Sequence, residues 1–338
     1  MDNPLTLLSS TLSAGQPAVL VFVLSSSGST PSRPGATMLV SHQGRLAGTV
    51  GGGALELQCL HLAQTLLDSS IPQTKSFICQ ENNPSGLDMA CGGSAQVCFF
   101  PFSPNNPQSL VMAQHLSDLF TLGEIGWLIL SLPSHGKPGL SVYRPDFVLE
   151  GISVPDGIFR QLDGPVVQTV LEDTRYLCLR FPSSGRVFLL GAGHIAQHLV
   201  PLLHAVEFPC IVLDDRSDFC QSNYFPDAFQ ICPLSSFDDP TPYKAVTQED
   251  YICIMTHNHQ ADFLALSQAL HTPARYIGVV GSRRKRETMF AKLTAMGFSQ
   301  ADLSRIITPI GLEIHAKTPA EIAVSIAGQL ILTRASTS

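Results

Sequence analysis

The sequence predicts an α/β protein of two domains, with a mixed α/β fold in residues 1–182 and a doubly wound parallel sheet in residues 183–338. Three observations support this prediction. The chain has 338 residues, which is enough for about two domains with sizeable cores. Hydrophobic residues make up 44% of it and charged residues 14%, as in a well-packed globular protein. Its second half alternates short apolar runs, rich in β-branched and aromatic residues, with helical patterns, which is typical of a parallel sheet covered by helices.

The predicted elements of the first half are less regular than those of the second. Apolar runs predict strands at Ala18–Leu24, Ala36–Val40, Ala95–Phe100, Ile125–Leu132 and Thr174–Phe181. Apolar residues at helical spacing predict helices at Leu55–Leu67 and Gln108–Leu122. The segment Pro101–Pro107, rich in Pro, Ser and Asn, predicts a connection, and Pro182–Gly185 predicts the link between the domains.

The second half alternates strand with helix almost throughout. Strands are predicted at Val187–Leu190, Cys210–Asp214, Phe229–Cys232, Tyr251–Met255, Tyr276–Val280 and Ile306–Pro309. Helices are predicted at His194–Val206, Gln260–Leu270, Arg283–Met296 and Pro319–Leu332. In the last helix, Thr318 and Glu321 are spaced as a capping box around Pro319. The predicted buried stripe of that helix consists of Ile322, Ala323, Ile326 and Leu330.

Charge and cysteine content exclude several classes of protein. The net charge is −7, so we expect no nucleic acid partner, because neutralising phosphates requires a broad basic surface. The early apolar run Ala18–Leu24 is too short to cross a membrane, and Asp2 precedes it where a secretory signal carries basic residues. The nine cysteines include no CxxC pair. This favours reduced thiols in the cytoplasm and predicts no metal site.

A glycine-rich turn follows the predicted strand Val187–Leu190. Gly191-Ala-Gly193-His194 opens the next helix, and Asp214 ends the following strand 23 residues after Gly191. This is the pattern of a Rossmann dinucleotide-binding turn, in which Gly193 admits a phosphate and Asp214 accepts a ribose hydroxyl. A Rossmann-type fold whose turn binds nothing is the alternative. A ring at His194 would either stack on a ligand or block an ordinary pyrophosphate.

A second polar motif follows the predicted strand Tyr251–Met255. It contains Thr256, His257, His259 and Asp262, and it lies at the carboxyl edge of the sheet, where open α/β folds bind ligands. Two histidines and an aspartate are also metal ligands, but their spacing is not diagnostic. We therefore favour hydrogen bonding to a ligand for His257 and His259, and helix capping for Asp262.

The third motif is the run of four bases after Gly281-Ser282. Arg283, Arg284, Lys285 and Arg286 fall in the first turn of a predicted helix, where the helix dipole is already positive. A bound anion would remove this conflict, and arginine pairs match phosphate geometry. The alternative is a solvated basic face.

The first half holds three further candidate motifs. Arg33 lies in a turn-rich loop after a strand, and Gly51-Gly52-Gly53 precedes a helix that contains Glu56. Consecutive glycines ahead of a helix form a nest of N–H groups for an anion, whereas a flexible connection is the alternative. Cys91, followed by two glycines, is either an exposed reactive thiol or a small buried hydrophobe.

Together these motifs resemble the XdhC/CoxI family, the maturation factors of molybdenum hydroxylases such as xanthine dehydrogenase. The resemblance covers nearly the whole chain. In the first half it rests on Gly28–Pro31, Arg33–Gly35, Gly48–Glu56 and Cys91–Gly93. In the second half it rests on Gly191–His194, Thr256-His257, Gly281–Arg284, Pro309–Leu312 and Pro319–Ile322.

The resemblance implies an accessory carrier more than an enzyme. Such a carrier binds the molybdenum cofactor (molybdopterin), protects it while an oxo ligand is exchanged for sulfur, and delivers it to apo-xanthine dehydrogenase or a related molybdenum hydroxylase. A cysteine desulfurase is the implied sulfur donor, and a homodimer is left open. Cys91 would handle the sulfur. The implied cofactor-binding residues are Arg33, Gly51, Gly52, Gly53, Glu56, Gly191, Gly193, His194, Asp214, His257, His259, Ser282, Arg283 and Arg284, distributed over both domains.

The chain departs from its relatives at two positions, and two other functions stay open. Many relatives have Cys where this chain has Ala54, so that position has no sulfur chemistry here, and Asp88 replaces a frequent Gly near Cys91. An NAD(P)-dependent oxidoreductase that uses the Gly191 turn is one alternative. It would need a proton donor, for which only His257 and His259 are candidates. A nucleotide-sensing scaffold is the other.

Overall fold

The structure is a computed structural model, which describes residues 3–28, 33–79, 93–121, 126–144, 147–164, 166–181, 185–281 and 283–336. For residues 79, 120–121, 147–150 and 283–285 only the backbone is described. The chain divides into two compact units, Met1–Ser183 and Ser184–Ser338. Among the described residues, no helix combines the length and hydropathy that a membrane crossing requires.

The amino-terminal unit contains two five-stranded antiparallel sheets. The strands of the first are β1 (Ala18–Gly28), β2 (Thr37–Ser41), β3 (Gly44–Gly48), β4 (Gln73–Cys79) and β5 (Gly93–Phe102), in the order β3-β2-β1-β5-β4. The strands of the second are β6 (Gly126–Pro133), β7 (Gly139–Arg144), β8 (Phe147–Gly151), β9 (Val166–Leu171) and β10 (Thr174–Phe181), in the order β8-β7-β6-β10-β9. The described helices are α1 (Pro4–Ser13), α2 (Gly53–Thr65), α3 (Pro107–Thr121) and α4 (Asp156–Phe159).

Strand β1 organises the core of this unit because both of its faces are buried. Leu20 and Phe22 pack into a cluster that includes residues of α1, α3 and the second sheet. Val19 and Val21, which alternate with them, pack against α2 on the opposite face. The strand therefore reads as a continuous hydrophobic run, as expected for a strand covered on both sides.

The carboxyl-terminal unit is a six-stranded parallel sheet with helices on both faces. Its strands are β11 (Val187–Leu190), β12 (Cys210–Asp214), β13 (Gln230–Pro233), β14 (Tyr251–Ile254), β15 (Tyr276–Val279) and β16 (Ile306–Ile307). Its α-helices among the described residues are α5 (His194–Ala205), α6 (His259–Ala269), α7 (Arg283–Ala295), α8 (Gln300–Ser304) and α9 (Pro319–Ala335). The strand order β13-β12-β11-β14-β15-β16 is the Rossmann order 3-2-1-4-5-6.

The two faces of this sheet have separate cores. Val187 and Leu189 face α5 and α9, whereas Phe188 and Leu190 face α6, α7 and α8. The predicted α/β class with a Rossmann-like sheet is confirmed. The capping box of α9 is also confirmed, since the Thr318 hydroxyl accepts from the Glu321 amide at 3.3 Å and the Glu321 carboxylate accepts from the Thr318 amide at 2.9 Å.

Candidate functional site

The carboxyl edge of the parallel sheet collects the polar motifs of the second unit. Helix α5 leaves β11 toward one face, and α6 leaves the neighbouring β14 toward the other. Ligands of open α/β sheets bind at this kind of switch point. The glycine turn after β11, Asp214 at the end of β12 and the Thr256-His257 loop after β14 all lie there.

The two glycines of the turn have different roles. Gly191 has a φ of +120°, and a Cβ added to it would lie 2.3 Å from the Met255 carbonyl oxygen and 2.9 Å from the Thr256 amide nitrogen. The close approach of the β14 loop therefore requires glycine there. Gly193 precedes α5 with an ordinary φ of −78°, and a Cβ added to it would meet nothing within 4 Å. The fold does not require glycine at Gly193, and its absent side chain leaves open space at the start of α5. His194, the first residue of α5, is exposed beside this space.

The hydrogen-bond partners of Asp214 differ from those that the sequence predicts. Its carboxylate is fully buried and accepts four hydrogen bonds, one from the Ala192 amide at 2.7 Å and three from the backbone and guanidinium of Arg216 at 2.8–2.9 Å. A carboxylate offers about four acceptor positions, so none is left for a ribose hydroxyl. The prediction that Asp214 reads a ribose is not supported, because Arg216, which was not among the predicted site residues, uses this carboxylate. The signal for this ion pair in the sequence is the Arg two residues after the Asp that ends the strand.

These contacts set the charge state of Asp214. Burial alone would raise the pKa of its carboxyl, but the hydrogen bonds from Arg216 and Ala192 outweigh burial and hold the pKa below its ordinary value. Asp214 therefore stays ionised and braces the glycine turn against the end of β12.

The loop after β14 also differs from prediction. The N-cap of α6 is Asn258, whose side chain accepts from the Ala261 amide at 2.8 Å. Asp262, predicted to cap, is instead buried inside the first turn and accepts from the Thr256 amide and hydroxyl at 3.0 and 2.7 Å. It therefore fixes the turn that carries His257. His259 begins α6 and is exposed.

His257 meets a carboxylate that was not among the predicted site residues. Its Nδ1 lies 3.6 Å from Oδ1 of Asp215, which follows β12. Asp214, Asp215 and His257 place one ligand atom each within 4.8 Å of one another, as a metal site would. A cation there would have to compete with the Arg216 guanidinium for the Asp214 oxygens, so the charge balance disfavours a metal.

The basic run lies at the same edge. Helix α7 begins at Arg283, as predicted, after β15. Because β15 is two places from β11 in the sheet, the strand leading to α7 lies about 10 Å from the strand leading to the glycine turn. Ser282 and the side chains of Arg283 and Arg284 lie outside the described part of the chain, so their contacts stay predictions.

In the amino-terminal unit, the triple glycine lies against an anion that the chain itself supplies. Gly51, Gly52 and Gly53 all have positive φ, and the Glu56 carboxylate accepts from the Val50 and Gly52 amides, both at 3.3 Å. Glu56 also binds the Thr49 hydroxyl and pairs with Arg45 at 3.1 Å. Glu56 therefore occupies the position that an anion would take in this turn, which argues against an external anion there. The adjoining cavity has a volume of about 190 Å³, less than the roughly 300 Å³ typical of ligand sites.

Arg33 and Cys91 are the other candidate site residues of this unit. Arg33 is exposed, and its carbonyl accepts from the Ala36 amide at 3.0 Å. Cys91 lies outside the described residues. The seven described free cysteines all have thiols whose pKa is raised by burial, to about 12 for Cys59, Cys98 and Cys178. None of these seven is poised as a thiolate.

Comparison with known proteins agrees with this architecture. Residues 187–330 match the XdhC Rossmann domain, and residues 11–77 match the XdhC and CoxI family. A Bacillus subtilis (strain 168) protein described as a probable xanthine dehydrogenase subunit is 24% identical over 348 residues, covering 99% of this chain and 98% of that protein. The uncharacterized protein YqeB of Escherichia coli K12 is 25% identical over 146 residues, which cover 43% of this chain and 27% of YqeB.

A crystal structure described as a xanthine dehydrogenase from Bacillus halodurans has the same fold along its length. It superposes with a TM-score of 0.77 and 25% identity, covering 100% of this chain and 97% of that one. The two family matches fall in different units, and their order along the chain is that of the motifs described above. The chain therefore belongs to the XdhC/CoxI family, which is implicated in the maturation of xanthine dehydrogenase.

Proposed function

We propose that this protein binds the molybdenum cofactor, shields it during sulfuration and delivers it to the apo form of a xanthine dehydrogenase or related molybdenum hydroxylase in the cytoplasm. The observation that carries the proposal is the open space at Gly193. The fold does not need glycine at this position, yet the residue leaves room at a helix start where anions bind.

The chain's own residues suit a ligand of this kind. The cofactor is a pterin that holds molybdenum through a dithiolene and carries a terminal phosphate; when bound, it supplies the metal that the client enzyme uses. The amides at the start of α5 and the bases that open α7 are donors for a phosphate group. Thr256 and His257 add polar groups at the same edge, and the orientation of Thr256 is fixed by Asp262.

The relatives support the choice of partners. The Bacillus subtilis relative is described as a probable component of xanthine dehydrogenase, which supports a hydroxylase of that type as client. The family resemblance supports a cysteine desulfurase as the sulfur donor. The NAD(P)-dependent oxidoreductase is the weaker alternative, because the residue expected to read the dinucleotide ribose, Asp214, has its acceptor positions filled by Ala192 and Arg216.

Replacing Arg283 and Arg284 with alanine should lower the cofactor content about tenfold or more, since arginine bonds to phosphate are charge-assisted. The unliganded double variant should be as stable as wild type or slightly more so, because adjacent bases at a helix start repel one another and the dipole. The measurement is molybdenum and pterin per chain after purification from a cofactor-producing host, together with thermal melts.

The matched control is Lys244→Ala with Lys292→Ala. It removes the same charge from two exposed lysines, one ahead of β14 and one in the last turn of α7, both remote from the carboxyl edge. The control should keep its cofactor. Wild-type protein that carries no more molybdenum and pterin than protein from a host unable to make the cofactor would refute the proposed function.

Replacing Cys91 with serine should leave folding and phosphate contacts intact but reduce activation of the client hydroxylase. The reason is that a thiolate is a soft ligand for molybdenum and a carrier of sulfur, whereas a hydroxyl is neither. Client activity is measured after incubation with cofactor-loaded protein, a desulfurase and apo-hydroxylase. Cys98→Ser is the control, since Cys98 is buried and its thiol has a raised pKa. Full activation by Cys91→Ser at normal cofactor occupancy would exclude the role.

A further inference from the structure

Asp215, at the carboxyl edge of the parallel sheet, has a side-chain oxygen that makes none of the hydrogen bonds described above. It follows β12 immediately, and its side chain is 28% exposed. Its Oδ1 atom is buried and has no hydrogen-bond partner among the described residues. Among the described residues, the nearest basic group is Nδ1 of His257, which lies 3.6 Å away and is too far for a hydrogen bond. A buried acceptor without a partner is costly, so it is expected where a ligand completes the bond.

The local charge limits what this ligand group can be. Arg216 is committed to Asp214 at 2.8 Å and also lies over the Phe219 ring at 4.0 Å. The positive charge of Arg216 is thus offset by Asp214, and Asp215 leaves the cluster with a negative charge. A phosphate would be repelled there, and a metal ion would lie against the Arg216 guanidinium. A neutral group that donates hydrogen bonds fits both restrictions.

The positions of Asp215 and His257 in the sheet further limit which chemical group can bind between them. In the sheet order β12-β11-β14, Asp215 follows β12 and His257 follows β14, so their contact spans the end of β11, where the glycine turn begins. A ligand held at the open space beside Gly193 would therefore have Asp215 and His257 beside it. A planar or cyclic group with two adjacent donors matches the two oxygens of a carboxylate.

We infer that Asp215 is the residue that recognises the ligand, by accepting two adjacent hydrogen bonds from its uncharged end while the backbone amides at the start of α5 hold its anionic end. Two chemical groups carry such donors, namely the 2-amino and N3–H edge of a pterin and the vicinal diol of a ribose. The inference rests on the proposed function for the choice of a pterin, but the recognition by Asp215 is tested independently of molybdenum.

Two pairs of probe molecules distinguish the pterin edge from the ribose diol. One pair is 6-hydroxymethylpterin and 6-hydroxymethyllumazine, in which a carbonyl replaces the amino group. The other pair is ADP and its 2′,3′-dideoxy analogue. We expect wild type to prefer the donor-bearing member of one pair by about tenfold or more, the value of one hydrogen bond to a charged acceptor. Preference in the first pair identifies the pterin edge, and preference in the second identifies a ribose.

Asp215→Asn and Asp215→Ser should lose that preference. Asp218→Asn, which removes the same charge from an exposed residue three positions on, should keep it. Without ligand, Asp215→Ser should melt at the same temperature as wild type or higher, because it removes the buried unpaired acceptor; the loss of a purely structural residue would lower the melting temperature. Wild-type protein without a preference in either pair, or variants that keep it, would overturn the inference.

The molybdenum assay separates this inference from the proposed function. If wild type carries no cofactor but Asp215 governs the preference between probes, the proposed function fails and the inference stands. If wild type carries cofactor and the Asp215 variants carry as much with unchanged probe preference, the inference fails alone.

Discussion

Replacing Gly191 with alanine should destabilise the carboxyl-terminal unit by at least about 3 kcal/mol. The added Cβ would lie 2.3 Å from the Met255 carbonyl oxygen, and the φ of +120° is a conformation that alanine rarely adopts. Both obstacles are backbone, so no side-chain rearrangement relieves them. Since β11 and β14 are neighbours at the centre of the sheet, moving them apart would disturb both cores.

The single tryptophan makes this measurement specific to one unit. Trp127 is buried in the amino-terminal unit, so its fluorescence follows that unit, whereas far-UV circular dichroism follows both. During urea unfolding, Gly191→Ala should shift the circular dichroism transition and leave the Trp127 transition in place.

Gly193→Ala is the matched control, because its Cβ has no neighbour within 4 Å. It should leave stability unchanged or raise it slightly while weakening phosphate or cofactor binding. If Gly191→Ala were as stable as Gly193→Ala, the requirement for glycine in the turn would be wrong.

The contrast between these two glycines marks the limit of sequence reasoning about the site. The sequence predicts a glycine turn, but it does not distinguish the glycine that the fold needs from the one that leaves space. Asp214 is a similar case, since its position at a strand end predicts a ribose acceptor and its partner Arg216 emerges only in three dimensions. For the triple glycine, the sequence predicts amides that face an anion, but it does not predict that Glu56 is that anion.

The fold itself was more predictable in the second unit than in the first. Strands β11 and β12 have the predicted bounds, because a short apolar run bounded by turn residues and a helix has few other interpretations. In the first unit, α1 was missed although Leu5, Leu8 and Leu12 have helical spacing and Asn3 caps it. Strand β9 was missed because it is an edge strand with alternate residues exposed, so it lacks a continuous apolar run.

The contribution of Asp214 to the stability of the carboxyl-terminal unit should depend on pH. Its pKa is lower in the folded protein than in the unfolded chain, where it is about 3.9. A carboxylate of this kind stabilises the fold fully above the unfolded pKa, and its contribution is lost as the pH falls through the folded pKa. Acid should therefore weaken the link between the glycine turn and β12, whereas pH changes above about 5 should not.

We expect Asp214→Asn to destabilise the carboxyl-terminal unit by about 3 kcal/mol at neutral pH. The amide would turn an N–H₂ group toward the Ala192 amide or the Arg216 guanidinium, which are themselves donors, and leave a buried bond unmade. Measured by urea unfolding from pH 7 to pH 3, the difference from wild type should stay constant down to about pH 4 and then narrow as Asp214 protonates in wild type. Asp218→Asn, which removes an exposed carboxylate from the same loop, should differ little from wild type throughout. A difference that grew as the pH fell would mean that the buried carboxyl is already neutral, and that Arg216 does not hold it in its charged form.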